Sequence, residues 1–198
     1  MESQKSIWNN IAKEWHKFKT EKNTDKIEFL KNATGNVLDL GSGSGRYLAK
    51  IKNGKMWLVD FSEEMINLAK KKAKKEKIPA EFFVADLTKL PFEDNFFDFA
   101  ISMSSLHCLN KKQSEKAVKE LYRVLKPKSK VKISVWNKNA KRFRNAKKEK
   151  YIAWRDKGKR YYYLFDEKEI HDLFKKAGFR IIEKIPPERN IVFVGEKN

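Results

Sequence analysis

Three carboxylates in this chain stand where bound ligands are usually met. Asp39 precedes Gly41, Gly43 and Gly45 in "NVLDLGSGSGRYLAK", Asp60 ends the apolar run "KMWLVD", and Asp86 ends "AEFFVAD". Glycines at every second position after an apolar run read as a strand turning sharply, with a helix expected to open at "RYLAKI". The spacing Gly-x-Gly-x-Gly differs from the Gly-x-Gly-x-x-Gly of dinucleotide turns. No Gly-Lys-Ser/Thr follows it, which argues against a Walker-type phosphate loop. Asp39 lies two residues before Gly41, beside the expected helix start, where a pyrophosphate would be repelled.

A ligand with both an ammonium and a carboxylate is matched instead by the Asp39 side chain and the backbone N–H groups together. The methionine end of S-adenosylmethionine is such a ligand, and its sulfonium adds a positive charge that dinucleotides lack. Asp60 can accept from both ribose hydroxyls, and the adjoining Phe61 is assigned to the same site; Asp60 alone suits NAD equally well. Asp86 can accept from the adenine amino group while Leu87 donates its backbone N–H to the ring. The end of the fourth strand, "ISMSSLH", places Ser102 and His107 over the glycine turn. Taken singly, each Asp could merely cap the helix that follows it. Three of them beside the glycines make a far more specific set.

The elements that must position these residues follow from periodicity. Residues Ser3 to Leu30 read as helical, with Ile7, Ile11, Trp15 and Phe18 on one face. Strands are expected at 36–40, 55–61, 80–86, 96–104, 130–136, 179–185 and 191–197, and helices at 63–77, 114–125 and 166–178. The alternation predicts an α/β fold: a Rossmann-like, doubly wound, mostly parallel seven-stranded sheet with helices on both faces and a C-terminal antiparallel hairpin. The chain is expected to form one domain. Its parts are an N-terminal helical lid (1–30), a cofactor-binding core (36–136), a basic insertion (137–160), and a C-terminal helix and hairpin (161–198).

Composition narrows the class. A chain of 198 residues, 40% hydrophobic with 14 Phe, can bury a core of its own. The lone Cys108 rules out an internal disulfide framework and a cysteine-based zinc site, and no metal is expected. Nothing near the N-terminus resembles a signal peptide and no apolar run is long enough to span a bilayer, so a soluble, cytoplasmic protein is expected. The net charge of +19 favours a polyanionic partner, with nucleic acid ahead of a membrane. Between Asn137 and Arg160 the chain carries 11 basic and 2 acidic residues, interleaved with Phe143, Tyr151 and Trp154.

The stretches "VLDLGSGSGRYL", "LVDFSEEMINLAKKKA", "FFVADLTKLPFEDNFFDFAISMSSLHCL" and "ELYRVLKPKSKVKISVW" resemble the successive motifs of class I S-adenosylmethionine-dependent methyltransferases. A narrower resemblance, carried by "IWNNIAKEWHKF", "RYYYLFDEKEIHDLFKKAGF" and "ERNIVFV", is to the tRNA wobble-uridine carboxymethyl methyltransferases. That family esterifies the carboxylate of 5-carboxymethyluridine, and its eukaryotic members work with a small zinc-binding activator subunit. The resemblance therefore implies tRNA as substrate and raises such a subunit as a partner. The chain departs from the family in three places. "FKTEKNTDKI" lacks the usual Arg and Pro-Trp-Pro, Pro127-Lys128-Ser129 replaces Pro-Gly-Gly, and Arg189-Asn190-Ile191 replaces an Arg-Asp-Asn-Trp ending.

A carboxylate nucleophile is ionised near pH 7 and needs no general base; it needs a cation or donors that orient it. Arg160 and Arg189, at positions resembling family motifs, are assigned that role, with His107 as a donor to uracil or carboxylate. Tyr161 and Tyr162 are expected to stack on a flipped base. Trp8 and Trp15 are expected to close over the cofactor. Lys141, Arg142, Arg144, Lys147 and Lys148 are assigned to the RNA backbone. Two rival readings are a small-molecule methyltransferase of the quinone or sterol type and an inactive cofactor-binding subunit.

Overall fold

The computed structural model describes residues 3–20 and 28–198. Helix α1 (Gln4–Thr20) and the short α2 (Glu28–Lys31) lead into β1 (Thr34–Leu40), β2 (Lys52–Asp60), α3 (Glu63–Glu76), β3 (Ala80–Val84) and β4 (Phe97–Met103). Then follow α4 (Lys111–Val124), β5 (Leu125–Trp136), β6 (Glu149–Ala153), β7 (Lys159–Tyr163), α5 (Glu167–Lys176), β8 (Phe179–Ile185) and β9 (Asn190–Lys197). Most of the departing stretch 18–27 lies outside the described residues. Among the described residues no helix is long and apolar enough to cross a membrane.

Seven strands form one sheet in the order β3-β2-β1-β4-β5-β9-β8. The first five are mutually parallel, and β9 runs antiparallel to both β5 and β8. Strand alternation divides the side chains of β1 between two cores. Leu38 and Leu40 pack with Ala117, Val118 and Leu121 of α4 and with Ile170 and Phe174 of α5. Val37 packs on the opposite face with Ala69 and Ala73 of α3. The order reverses between β1 and β4, which opens the crevice at the strand C-termini where ligands of such sheets bind.

Local chemistry fixes the helix starts. Ser62 Oγ accepts from Met65 N (3.2 Å) at the start of α3, with Glu63 and Glu64 in the first turn and Lys74 and Lys75 in the last. Asn110 and Gln113 form a reciprocal capping box on α4. Asp166 Oδ1 accepts from Glu169 N (3.0 Å) on α5.

The helix expected at "RYLAKI" does not form. Residues 41–51 connect β1 to β2 through turns, with Gly45 N donating to Ser42 O (3.1 Å) and Leu48 N to Gly45 O (3.3 Å). The physical reason lies in the glycines and in Ala49. Gly41, Gly43 and Gly45 hold φ of 76°, 53° and 74°, outside the helical region. Lys72 Nζ shares the Gly45 carbonyl (2.7 Å) with Leu48 N, and Ala49 N, which an α-turn would aim there, donates to Met56 Sδ (3.2 Å) instead. Nor is the basic insertion irregular throughout, because β6 and β7 pair as a separate antiparallel ribbon. Lys128, where the family resemblance expects glycine, keeps a left-handed φ of 66°.

Candidate active site

The glycine turn is pinned from below and open above. Gly41 N and Ser42 N both donate to Val59 O (2.8 and 2.9 Å), and Gly43 N donates to Asp60 Oδ2 (2.9 Å). A Cβ on Gly41 would overlap Ser105, whereas one on Gly43 would meet nothing within 4 Å. The open side of Gly43 borders a cavity of about 220 Å³. Its walls include Asp60, Phe61, Asp86 and Leu87, the sequence-assigned cofactor residues at the ends of β2 and beyond β3.

Asp39 lies just beneath this turn and is 1% exposed, and its Oδ2 has no hydrogen-bond partner. Burial, reinforced by the Asp60 charge, pushes its carboxyl up to about 8, with Lys72 pulling the other way. Asp60 is also buried and is raised to about 6, held down by the backbone N–H groups of Ser62, Gly43 and Phe61. Two buried carboxylates with one oxygen unfilled call for a cation. The ammonium and sulfonium of S-adenosylmethionine fit that requirement, so Asp39 and Asp60 could hold the cofactor's methionyl and ribose parts.

Asp86 lies two residues past the end of β3. Its Oδ1 accepts from Thr88 N and Thr88 Oγ1 (both 2.8 Å), an Asx turn that leaves Oδ2 for a ligand. Ser102 departs from its assigned role. It is fully buried, bonds Leu40 O (3.1 Å) and Ser105 Oγ (2.6 Å), and does not line the cavity. Its side chain ties β4 to β1, and Ser104 and Ser105 face the cavity instead.

Helix α1 covers the cofactor end. Asn9 Oδ1 accepts from Ser62 Oγ (2.6 Å), and His16 Nδ1 lies 2.9 Å from Ser44 Oγ in the glycine turn. Trp8 and Trp15, the residues assigned to a lid from the sequence, line the cavity. The same helix grips the β6–β7 ribbon. Glu14 bonds Trp154 Nε1 (2.8 Å) and Lys157 Nζ (2.6 Å), while Gln4 accepts from Tyr161 N (2.8 Å).

Behind the cavity wall formed by Trp8, Trp15, Trp136 and Tyr162 lie cations that do not themselves line it. The Arg160 guanidinium is 5% exposed and lies over the rings of Trp154 (4.9 Å), Trp15 (5.0 Å), Tyr162 (5.4 Å) and Trp8 (5.8 Å). Among the described residues no carboxylate pairs with it. Arg142 rests on Trp136 (4.5 Å) and Phe143 (4.2 Å). Burial and the neighbouring charge of the exposed Arg189 lower its pKa. His107 is stacked on Trp136 (4.7 Å) and accepts from Trp136 N (3.2 Å) at Nδ1, so the neutral ring carries its proton on Nε2.

Two sequence assignments here need correction. Residues on β7 alternate, so Arg160 and Tyr162 face the cavity side while Tyr161 and Tyr163 enter the α4–α5 core. Tyr161 is therefore not a stacking platform. Lys148 is not a free cation: Asp166 (2.9 Å) and Glu169 (2.8 Å) hold it against α5. Lys141, Arg144 and Lys147 are exposed, with no ion pair among the described residues. Trp136, Arg46, Tyr47, Cys108 and Gln113 line the cavity and had no role in the sequence reading. For Trp136 the signal was present, since it ends β5 beside the crevice as Asp60 ends β2.

Residues 37–128 match the model of a family described as a methyltransferase domain. A protein of Encephalitozoon cuniculi named as a methyltransferase is 30% identical over 172 residues, covering 81% of this chain and 78% of that one. A ubiquinone/menaquinone biosynthesis C-methyltransferase of Rickettsia prowazekii is 38% identical over 52% of this chain and 46% of its own. The Arabidopsis thaliana tRNA (carboxymethyluridine(34)-5-O)-methyltransferase is 37% identical over 50% of this chain and 24% of its own. The chain thus spans half or less of these two relatives. Among solved structures, a Haloferax volcanii methyltransferase-named chain in complex with the Trm112 methyltransferase activator superposes with a TM-score of 0.74. The match is 18% identical and covers 99% of this chain and 98% of that one. With its sheet order, its glycine turn and its paired buried carboxylates, this chain belongs to the class I S-adenosylmethionine-dependent methyltransferases.

Proposed function

We propose that the protein methylates the carboxylate of 5-carboxymethyluridine at the wobble position of tRNA. One observation carries the reading: the cavity has Asp60 in its wall with Asp39 buried beneath the glycine turn, and the buried cation Arg160 packed behind its lining rings Trp8, Trp15 and Tyr162. Asp39 and Asp60 suit a cationic donor, and Arg160, buried without a carboxylate partner, suits an anionic acceptor. When bound, S-adenosylmethionine supplies a methyl group on a positively charged sulfur. The protein's part is positioning: Gly41, Gly43, Asp60, Phe61, Asp86 and Leu87 line the donor site, Asp39 supplies charge from beneath it, and α1 closes over it; Gly45 packs against Ala69 of α3 and keeps only a role in the turn. His107 Nε2–H and the wall that Arg160 supports orient the acceptor, Arg142 on Trp136 is available to RNA, and Arg189, assigned to the acceptor from the sequence, is exposed and does not line the cavity. Lys141, Arg144 and Lys147 on the insertion reach RNA phosphates.

The similarity to the Arabidopsis thaliana tRNA enzyme supports this substrate. The fold shared with the Haloferax volcanii chain and its activator supports a small zinc-binding activator as partner. A second reading, a small-molecule C-methyltransferase, is favoured by the comparable similarity to the quinone enzymes. An apolar quinone, however, would leave Arg160, Arg142 and Arg189 without a counter-charge. The test is nucleoside mass spectrometry of tRNA incubated with protein and methyl-labelled cofactor, with and without the activator. Labelled 5-methoxycarbonylmethyluridine is expected. No labelled nucleoside in either case, with label entering a quinone extract, would establish the second reading instead.

A further inference from the structure

Arg160 Nη1 donates to Tyr162 Oη at 2.8 Å, and that bond occupies the hydroxyl's acceptor side. Tyr162 is 1% exposed and lines the cavity, yet no acceptor for its own O–H occurs among the described residues. Its ring cannot be a free stacking surface on the Trp136 side, because Trp136 already covers it at 4.2 Å and 28°. Three tryptophan rings, Trp8, Trp15 and Trp154, pack on the guanidinium that holds the hydroxyl. A buried donor without a partner, held rigidly in a ligand cavity, is costly unless a ligand completes it.

We infer that Tyr162 is a catalytic residue whose O–H donates to the acceptor's non-attacking carboxylate oxygen, with Arg160 a positioning residue that acts through it. The inference rests on the acceptor being the anionic oxygen proposed above. In the transfer one carboxylate oxygen forms a bond to the methyl carbon and the methyl–sulfur bond breaks. The electron pair stays on sulfur, and no proton leaves the acceptor. Tyr162 therefore serves as a donor throughout and never as a base. Its environment agrees: burial pushes the phenol well above its usual range, against the pull of Arg160 and Arg142. A carboxylate entering the cavity meets the Tyr162 O–H, while the Arg160 guanidinium stays behind the wall and polarises that donor.

Single-turnover transfer to an anticodon stem-loop containing 5-carboxymethyluridine tests this in wild type, Tyr162→Phe, Arg160→Gln and the double variant. Tyr162→Phe removes one atom and is expected to slow transfer by about tenfold or more, with cofactor affinity within about twofold of wild type. Because Arg160 acts through the hydroxyl, the double variant should be no slower than the slower single variant. Wild-type rates in Tyr162→Phe, or losses that multiply in the double variant, would overturn the inference. Acetate binding to the S-adenosylhomocysteine-loaded protein, followed by tryptophan fluorescence, separates this from the substrate reading. If RNA is not methylated but Tyr162→Phe weakens acetate by about fivefold or more, the contact stands and only the tRNA reading falls. Acetate affinity that is equal, or absent, in both proteins overturns the contact.

Discussion

Asp39 and Asp60, at the C-terminal ends of the adjacent parallel strands β1 and β2, form one buried pair of carboxyl groups beneath the glycine turn. The two are not equivalent. Asp60 is bonded by three backbone N–H groups and rises only to about 6, whereas Asp39, with an unfilled oxygen, rises to about 8. Tuning by unequal hydrogen bonding prepares the pair for a cation.

The pH dependence follows from the sign of these shifts. Each carboxyl has a folded pKa above its unfolded one, so its contribution to stability is complete below about pH 4. That contribution is lost as pH rises through about 6 and then about 8. Cofactor binding runs the other way, because a cation favours the ionised pair. S-adenosylmethionine affinity is expected to tighten between pH 6 and 8, by at most about tenfold per pH unit. Asp39→Asn should flatten most of that rise, because Asp60 is already largely ionised above about 6, and weaken binding at pH 8. It should also reduce the fall in melting temperature of the cofactor-free protein over the same range. Calorimetric titration and thermal melts across pH check both.

Gly41 and Gly43 should fail differently. Gly41→Ala drives a methyl into Ser105 at a φ of 76°, so a large loss of melting temperature is expected. Gly43→Ala meets nothing within 4 Å and carries only left-handed strain, about 1–2 kcal/mol. Its methyl enters the cavity, so cofactor affinity should fall by more than stability does. Melts and cofactor titrations on the two variants separate the outcomes.

The insertion's cations should divide by partner. Replacing Lys141, Arg144 and Lys147 with Ala is expected to weaken RNA binding and flatten its salt dependence, by about 0.7 in log–log slope for each phosphate no longer neutralised. Lys148→Ala should leave the slope unchanged, since Asp166 and Glu169 already hold that ammonium. Binding isotherms from 50 to 200 mM salt (about fourfold in concentration) make the distinction.

Asn9 joins the lid to the cofactor strand through Ser62, which is fully buried. Asn9→Ala leaves the Ser62 hydroxyl without its acceptor, costing about 1 kcal/mol. Release of S-adenosylhomocysteine should become several-fold faster, by about that free energy. Stopped-flow fluorescence reads the release rate, helped by Trp8 and Trp15 in the cavity wall.

Much of this was legible in local pattern. Alternating apolar runs and amphipathic helices specify the doubly wound sheet, because period 2 and period 3.6 bury their faces in only a few compatible ways. The glycine turn with Asp39, followed by Asp60 and Asp86 at later strand ends, is gathered at the cavity proposed for the cofactor for the same reason: parallel strands bring their C-termini to one edge. The helix expected after the glycines is the exception. Its residue types permit helix, but three left-handed glycines set the turn and Ala49 N, which a helix needs, is taken by Met56 Sδ of the next strand.

The sequence by itself determined the sheet, the glycine turn and the acidic cofactor end, since these depend on neighbours a few residues away. Only the tertiary structure decided the acceptor end. Arg160, Tyr162 and Lys148 sit in one basic and aromatic stretch, yet one is caged by Trp rings, one is held by that caged cation, and one is neutralised by α5. Those fates depend on contacts such as Glu14 with Trp154 and Gln4 with Tyr161, 140 and 157 positions apart. Charge and aromaticity can be read from residue type, but what a buried charge faces is set by the elements that pack around it.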